Sequence, residues 1–315
     1  MKRIDGESVP PSSNTGGNYP LAPATCHVDA LAFSFVNHGF SHHDLSALSC
    51  LLSRFFMHFS AINRNRGWMG YSDSADVNLG GLVAWGGESQ RGRVFVSLMG
   101  VACSLCTDWH GLAAWLEEIG ARISRVDLAH DDLAAANYSV DRALSDYAAG
   151  EFNPAKAGNP PACKFISSGK FGERPARTLN VGKRENGKMV RIYEKGQQLQ
   201  DSEHPDWVRI EVELRAKDRV IPYDAIVNPS RYLAASYPAL GWISAIQIIV
   251  KTVRRIAEKT LDQYTKWAQR QVGRVVHALA TFHGGDFFAV IDRIKRNELP
   301  RRLLGAHLHL SPEGS

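Results

Sequence analysis

A chain of 315 residues is long enough to bury a substantial core in one large domain or two. Its 44% hydrophobic and 22% charged residues are those of a soluble globular protein, and a net charge of +5 suits an anionic partner without identifying one. Met1 to Gly17 carries no apolar leader and no apolar run reaches the roughly 20 residues that cross a bilayer, so a cytoplasmic protein with no membrane partner is expected.

Residues 1–24 are rich in Pro, Ser, Gly and Asn, the composition of a disordered tail. A first strand is predicted over His27–Val36, with Asp29 near its start. A helix follows over His42–Leu52, with Ser41 as N-cap and Leu45, Leu48 and Leu52 on one side. Residues 67–100 alternate around glycines and predict two or three strands, with Gly86-Gly87 and Arg91-Gly92 in turns. Asp108–Ile119 is a short amphipathic helix by spacing, turning Leu112, Trp115, Leu116 and Ile119 inward. Five cysteines form no regular framework. Cys103 and Cys106 make one C-x-x-C, with no second pair to complete a zinc site, and two buried thiols are the simpler reading.

After Gly120, the segment 121–133 reads as a strand that places Arg125 and Asp127 on one face, where Glu211 or Arg191 could partner them. Residues 139–149 read as a helix, and 164–168 as a short strand within a Gly/Pro-rich stretch. Next comes a hairpin, 178–199, with Asn186-Gly187 suited to a type I′ turn. That turn sets Glu185 opposite Lys188, Gly182 opposite Arg191 and Asn180 opposite Tyr193. Leu179, Val181, Val190 and Ile192 then share an apolar face, and Arg191, Tyr193 and Lys195 the other. The strand 208–215 alternates in the same way. It turns Val208, Ile210, Val212 and Leu214 inward, and Arg209, Glu211, Glu213 and Arg215 outward.

Beyond Pro238 the period changes from 2 to 3.6. Trp242, Ile246, Ile249, Val253, Ile256 and Ala257 make one helical stripe, continued by Leu261, Tyr264, Ala268, Val272, Val275 and Leu279, and Asp286–Asn297 follows. Lys251, Arg255 and Lys259 are spaced i, i+4, as are Lys266, Arg270 and Arg274; a solvated face and a phosphate-facing stripe both fit. Strands followed by helices predict an α+β fold, an antiparallel sheet with flanking helices and a C-terminal helical region.

The chemistry of the polar strand faces is specific in kind. Asp127, Glu211 and Glu213 are hard oxygen donors suited to Mg²⁺ or Mn²⁺. A phenol has a pKa near 10 and is a poor nucleophile at neutral pH unless a cation helps to form the phenolate. Tyr193 among carboxylates and cations therefore suggests phosphoryl transfer through a phosphotyrosine, with a structural tyrosine among paired charges as the competing account.

Three ordered strings, SRVDLAHDD (124–132), VGKRENGKMVRIYEKGQQL (181–199) and WVRIEVELRAKDRVIP (207–222), together with WGGESQRGRVFVSLMG (85–100), resemble the replication initiation factor family Rep_trans, which covers rolling-circle initiators of small plasmids and filamentous phages. The resemblance extends from about His27 to Leu279, and its phage branch is the nearer. It implies a relaxase-like, metal-dependent nickase that cuts one origin strand, keeps the 5′ phosphate on a tyrosine and frees a 3′-OH. The matching tyrosine is Tyr193, with Arg191 and Lys195 as its cations and Asp127, Glu211 and Glu213 as candidate ligands of Mg or Mn. Whether Asp29, Asp131 or Asp132 joins them stays open.

On this reading 25–238 is the catalytic domain, 239–300 the helical region and 301–315 a tail. Arg125, Lys183, Arg209, Lys251, Arg255 and Lys259 are the expected contacts to origin DNA, single-stranded or in a hairpin. A host helicase and a second copy of the chain are further candidate partners. The alternative is a non-cutting origin- or single-strand-binding protein of the same ancestry. His307-Leu308-His309 mimics the histidine pair of other rolling-circle nucleases, but it follows the helical region with no tyrosine downstream and reads as tail. Of nine tyrosines, the others are set aside because they lie in the tail, beyond the sheet motifs, on an apolar stripe, or, for Tyr71, Tyr138 and Tyr147, without carboxylates nearby in a strand pattern.

Overall fold

The computed structural model describes residues 26–295, apart from 79, 156–157, 170–173, 218 and 250–260. Ten strands are described: β1 Cys26–Val36, β2 Ala61–Asn63, β3 Asp73–Val77, β4 Gly81–Trp85, β5 Arg93–Met99, β6 Arg122–Asp132, β7 Cys163–Ser168, β8 Ala176–Lys183, β9 Lys188–Glu194 and β10 Val208–Arg215. They form one antiparallel sheet in the order β2-β3-β4-β5-β1-β6-β10-β9-β8-β7. The outer strands are sequential meanders. The centre is not, because β1, β6 and β10 come from distant parts of the chain. The fold is α+β, as expected.

Helices α1 Leu45–Leu52, α2 Gly100–Ser104, α3 Trp109–Glu118, α4 Val140–Ala148, α5 Lys195–Leu199, α6 Asp224–Val227 and α7 Pro229–Ala234 accompany the sheet. Their starts follow local chemistry. Asp108 accepts from the Gly111 amide at 2.8 Å, and Ser139 from the Arg142 amide at 3.1 Å. Ser41 precedes a 3-10 turn that leads into α1, and its amide donates to Asp44 at 2.8 Å. Leu48 and Leu52 of α1, Leu112 and Leu116 of α3, Ile226 of α6 and Leu233 of α7 are buried in one core with Leu31, Phe33, Val96, Val126, Val190 and Val212 of the sheet. Burying such side chains contributes about 1.5–3 kcal/mol each.

The hairpin departs from the expected register by two residues. Its loop is Arg184–Gly187, a 3-10 turn closed by Gly187 at φ 75°, rather than Asn186-Gly187 alone. Thr178 therefore faces Tyr193, Asn180 faces Arg191 and Gly182 faces Met189. A slip of two keeps every side chain on its expected face, which is why the apolar pattern could not reveal it. Arg184 Nε donates to Glu213 at 2.8 Å, and the Arg215 amide donates to the Gly187 carbonyl at 2.9 Å, so β10 anchors the longer loop.

The 3.6-residue stripe is also corrected at its start. Pro238–Ile243 is a 3-10 turn, and 244–249 is not helical. Leu240 is buried against the sheet unit and Trp242 stacks on Tyr138, so this segment follows tertiary contacts rather than its own period. Two compact units are distinguished, 1–252 and 253–315. The second contains α8 Leu261–Phe282 and α9 Phe287–Ile294, the latter capped by Asp286. Val272 and Val275, members of the apolar stripe, are exposed on α8.

Gly182 has φ 91°, and a Cβ there would meet the Lys188 carbonyl oxygen at 2.6 Å and the Tyr237 hydroxyl at 2.9 Å. Gly182→Ala is expected to lower stability by about 1–3 kcal/mol. Urea unfolding measures this, and an unchanged midpoint would show that the strand relaxes around the methyl.

Candidate active site

Three of the central strands bring the polar positions together. Register pairs Asp127 with Glu213, Glu211 with Arg191 and Arg209 with Tyr193, and directly opposed residues of antiparallel strands project to one face. Asp127, Tyr193 and Glu211 thus share the face opposite the hydrophobic core. That face is not a solvated surface. Asp127, Glu211 and Glu213 are 1–2% exposed and Tyr193 is 8% exposed. Buried carboxylates need partners. Arg125 is bidentate on Asp127, with Nε 2.8 Å from Oδ1. Glu211 takes Arg191 on one oxygen and the Tyr193 hydroxyl, at 3.4 Å, on the other. Glu213 takes Arg184 and Arg215, with Arg125 at 3.5 Å. Among the described residues no three His, Cys, Asp or Glu side chains form a metal-holding group.

The electrostatics follow from this crowding. Burial, reinforced by Glu211 and Glu213, pushes Asp127 up to about 8 against the pull of Arg125. Glu213 is held below the ordinary carboxylate range, because Arg125, Arg215 and Arg184 outweigh its burial. Burial and the Glu211 carboxylate raise the Tyr193 phenol well above its ordinary value, so it is neutral at physiological pH. The Arg191 guanidinium lies 5.8 Å from the Tyr193 ring centre.

Beside Tyr193 lies a second cluster that the sequence suggested only in fragments. Arg209 Nη1 donates to Asp29 Oδ1 at 2.8 Å, while Nε and Nη2 each donate to Asp131 at 2.6 Å. Trp207 Nε1 donates to Asp131 Oδ1 at 2.7 Å, and His27 is 3.9 Å from both carboxylates. Lys195 Nζ sits 4.8 Å from the Trp207 ring, and burial next to Arg209 lowers this amine to about 8. Arg209, expected to face DNA, is 6% exposed and committed to two carboxylates, so it organises the face instead. The available signal was position. Asp131 and Arg209 each fall on the polar parity of a predicted strand, whereas Asp29 alternates with the core residues Leu31 and Phe33 and reaches the polar face only through the register shift between Val28 and Ala30, which no local pattern reveals.

Asp132 belongs elsewhere, since it accepts the amides of Ala136, Asn137 and Tyr138 and shapes a turn. Glu194, on the opposite parity to Tyr193, is buried by Arg177 and Arg174. Lys183 is exposed at the end of β8. Lys251, Arg255, Lys259 and the His307-Leu308-His309 string lie outside the described residues. The contacts expected around Tyr193 are corrected, because its cross-strand neighbour is Thr178 and Gly182 lies beside Tyr237 instead. Tyr138 does meet a carboxylate, donating to Asp146 of α4 at 2.7 Å, a pairing that no strand pattern contains.

Asp131 is held below its ordinary pKa, because the Arg209 fork outweighs burial. Its contribution to stability is therefore present above the unfolded value of about 3.9 and is lost as pH falls through the lower folded value. The stability gap between the parent and Asp131→Asn is expected to be full at about pH 5–7 and to narrow below about pH 4. Urea unfolding across that range measures it, and a constant gap would contradict the ion pair.

Residues 121–294, more than half of the chain, match the family model described as Rep_trans, replication initiation factor. The fold is similar to the solved structure of a rolling circle replication initiator protein from Geobacillus stearothermophilus. The two share 19% identity at a TM-score of 0.54, over 72% of this chain and 98% of that one. Comparison with curated proteins finds no match. The matched segment contains Asp127, Tyr193, Glu211 and Glu213, and with it the polar face of the sheet: the chain belongs to the replication initiation factor family.

Proposed function

We propose that this replication initiation factor is a rolling-circle initiator that nicks one origin strand by transesterification on Tyr193. The observation that carries the reading is the placement of Tyr193 between Arg191 and Glu211 on one sheet face, with Asp127 and Glu213 alongside. In the proposed step the Tyr193 oxygen bonds to phosphorus and the bond from phosphorus to the 3′ oxygen breaks. The phenolic proton passes to Glu211, and the departing 3′ oxygen takes a proton from solvent. Arg191 and Lys195 offset the charge that grows on the phosphoryl oxygens. Because the phenol is neutral and buried in this structure, it must be uncovered and deprotonated as DNA binds.

Asp127, Glu211 and Glu213 fit a divalent cation by donor type, being hard oxygens that strands β6 and β10 gather on one face. They would hold Mg²⁺ or Mn²⁺, which when bound supplies Lewis-acid stabilisation of phenolate and phosphate charge. Arg125, Lys183 and the stripe of Lys251, Arg255 and Lys259 are the proposed phosphate contacts.

A non-cutting DNA-binding protein is the second reading, favoured by the 8% exposure of Tyr193. Covalent capture separates the two. With Mn²⁺ and origin DNA, a denaturing gel is expected to show a 5′-linked protein–DNA adduct. Tyr193→Phe should abolish that adduct while preserving folding and DNA binding, whereas an adduct formed by the Phe variant would transfer the chemistry to another tyrosine. Excess chelator is expected to stop nicking, and Glu211→Gln to slow it by about 10²–10⁴-fold. Cleavage that persists in chelator would remove the metal from the mechanism.

A further inference from the structure

The carboxylates that would receive a cation are occupied by arginines of the same chain. Arg125 takes both oxygens of Asp127, Arg191 takes one oxygen of Glu211, and Arg184 and Arg215 divide Glu213. A cation must displace guanidinium groups to reach those oxygens. One detail shows that the arrangement does not spend every donor. Nε of Arg191 and Oδ1 of Asn180, its cross-strand neighbour, are both buried without a hydrogen-bond partner. A guanidinium with an unspent buried donor lacks an acceptor, and phosphate oxygens accept its fork bidentately.

We infer that Arg125 and Arg191 exchange partners when DNA binds, passing from Asp127 and Glu211 to oxygens of a backbone phosphate and releasing those carboxylates to a divalent cation. This rests on the reading of Asp127, Glu211 and Glu213 as the cation site. Its consequence is thermodynamic. Phosphate and cation bind as a coupled pair, each raising the affinity of the other by the same factor. Without DNA the arginines act as internal competitors and keep cation affinity low. Without a cation, moving the arginines to a phosphate would leave buried carboxylates unpaired, so DNA is held less tightly as well.

The test uses the full chain carrying Tyr193→Phe, which blocks turnover, and follows Mn²⁺ binding by electron paramagnetic resonance. A mixed-sequence single-stranded oligonucleotide is the DNA probe, since phosphate contacts do not read sequence. The oligonucleotide is expected to raise Mn²⁺ affinity by about tenfold or more, and Mn²⁺ to raise oligonucleotide affinity equally. Adding Arg191→Gln should raise Mn²⁺ affinity in the absence of DNA and shrink the coupling. Arg191→Lys, which keeps the charge and loses the fork, should fall between. Arg122→Gln, an exposed charge on β6, the strand of Arg125, should change neither. Mn²⁺ affinity indifferent both to the oligonucleotide and to Arg191→Gln overturns the exchange. So does an equal effect of Arg122→Gln, which would reduce it to general electrostatics. Loss of the exchange leaves adduct formation at Tyr193 to its own gel assay, so the two readings fail separately.

Discussion

The guanidinium of Arg209, buried between Asp29 and Asp131, fixes the centre of this protein. It ties β10 to β6 and reaches across to β1, the three strands that the chain contributes from far apart. A buried ion pair is not a cheap source of stability, because desolvation offsets much of its Coulomb energy. Breaking one is a different matter and costs about 3–5 kcal/mol, since a charge is left buried and alone. Once made, the Arg209 cluster therefore penalises any other register of these strands. It also supplies the wall beside which Tyr193 stands.

The same logic extends along the face. Asp127 and Asp131 on β6 and the two glutamates on β10 are each answered by arginines, some from the same strand and others from β9, from the loop before it, or from β10 across to β6. Arg125 reaches Asp127 two residues away and Arg215 reaches Glu213, whereas Arg191 and Arg184 cross to β10. The result is a layer of carboxylates under a layer of guanidiniums, backed by an apolar core. Such a layer resembles neither an exposed anion-binding patch nor an open metal site. It is a charged interior whose carboxylates and guanidiniums neutralise one another.

Much of this was legible from alternation. Period 2 over 122–132, 188–194 and 208–215 identified the strands and put Asp127, Tyr193, Glu211 and Glu213 on a common parity, because in a sheet parity determines face. Adjacency was harder. Nothing local states that Glu213, rather than Glu211, stands opposite Asp127, or that Asp29 lies beside Arg209, since those facts belong to strand order. The hairpin slip shows the limit in miniature. Asn186-Gly187 is a strong turn signal, yet Arg184 gains a partner in Glu213 by joining the loop, and a shift of two leaves hydrophobic parity silent. The stripe beginning at Trp242 failed for the opposite reason, because contacts with Tyr138 and His130 overrode a helical period.

Strand order also bears on how the molecule is made. Asp29 and Arg209 are separated by 180 residues, and the two flanks of the sheet form from neighbouring hairpins before that distance need be closed. Contacts of such long separation are slow to form, because loop entropy is lost before they reward it. During synthesis the charged face does not exist until β10 has emerged and inserted between β6 and β9. A nascent or prematurely ended chain can carry Tyr193 and Asp127 without Glu211 and Glu213, so the surroundings of the tyrosine are completed only by the last central strand.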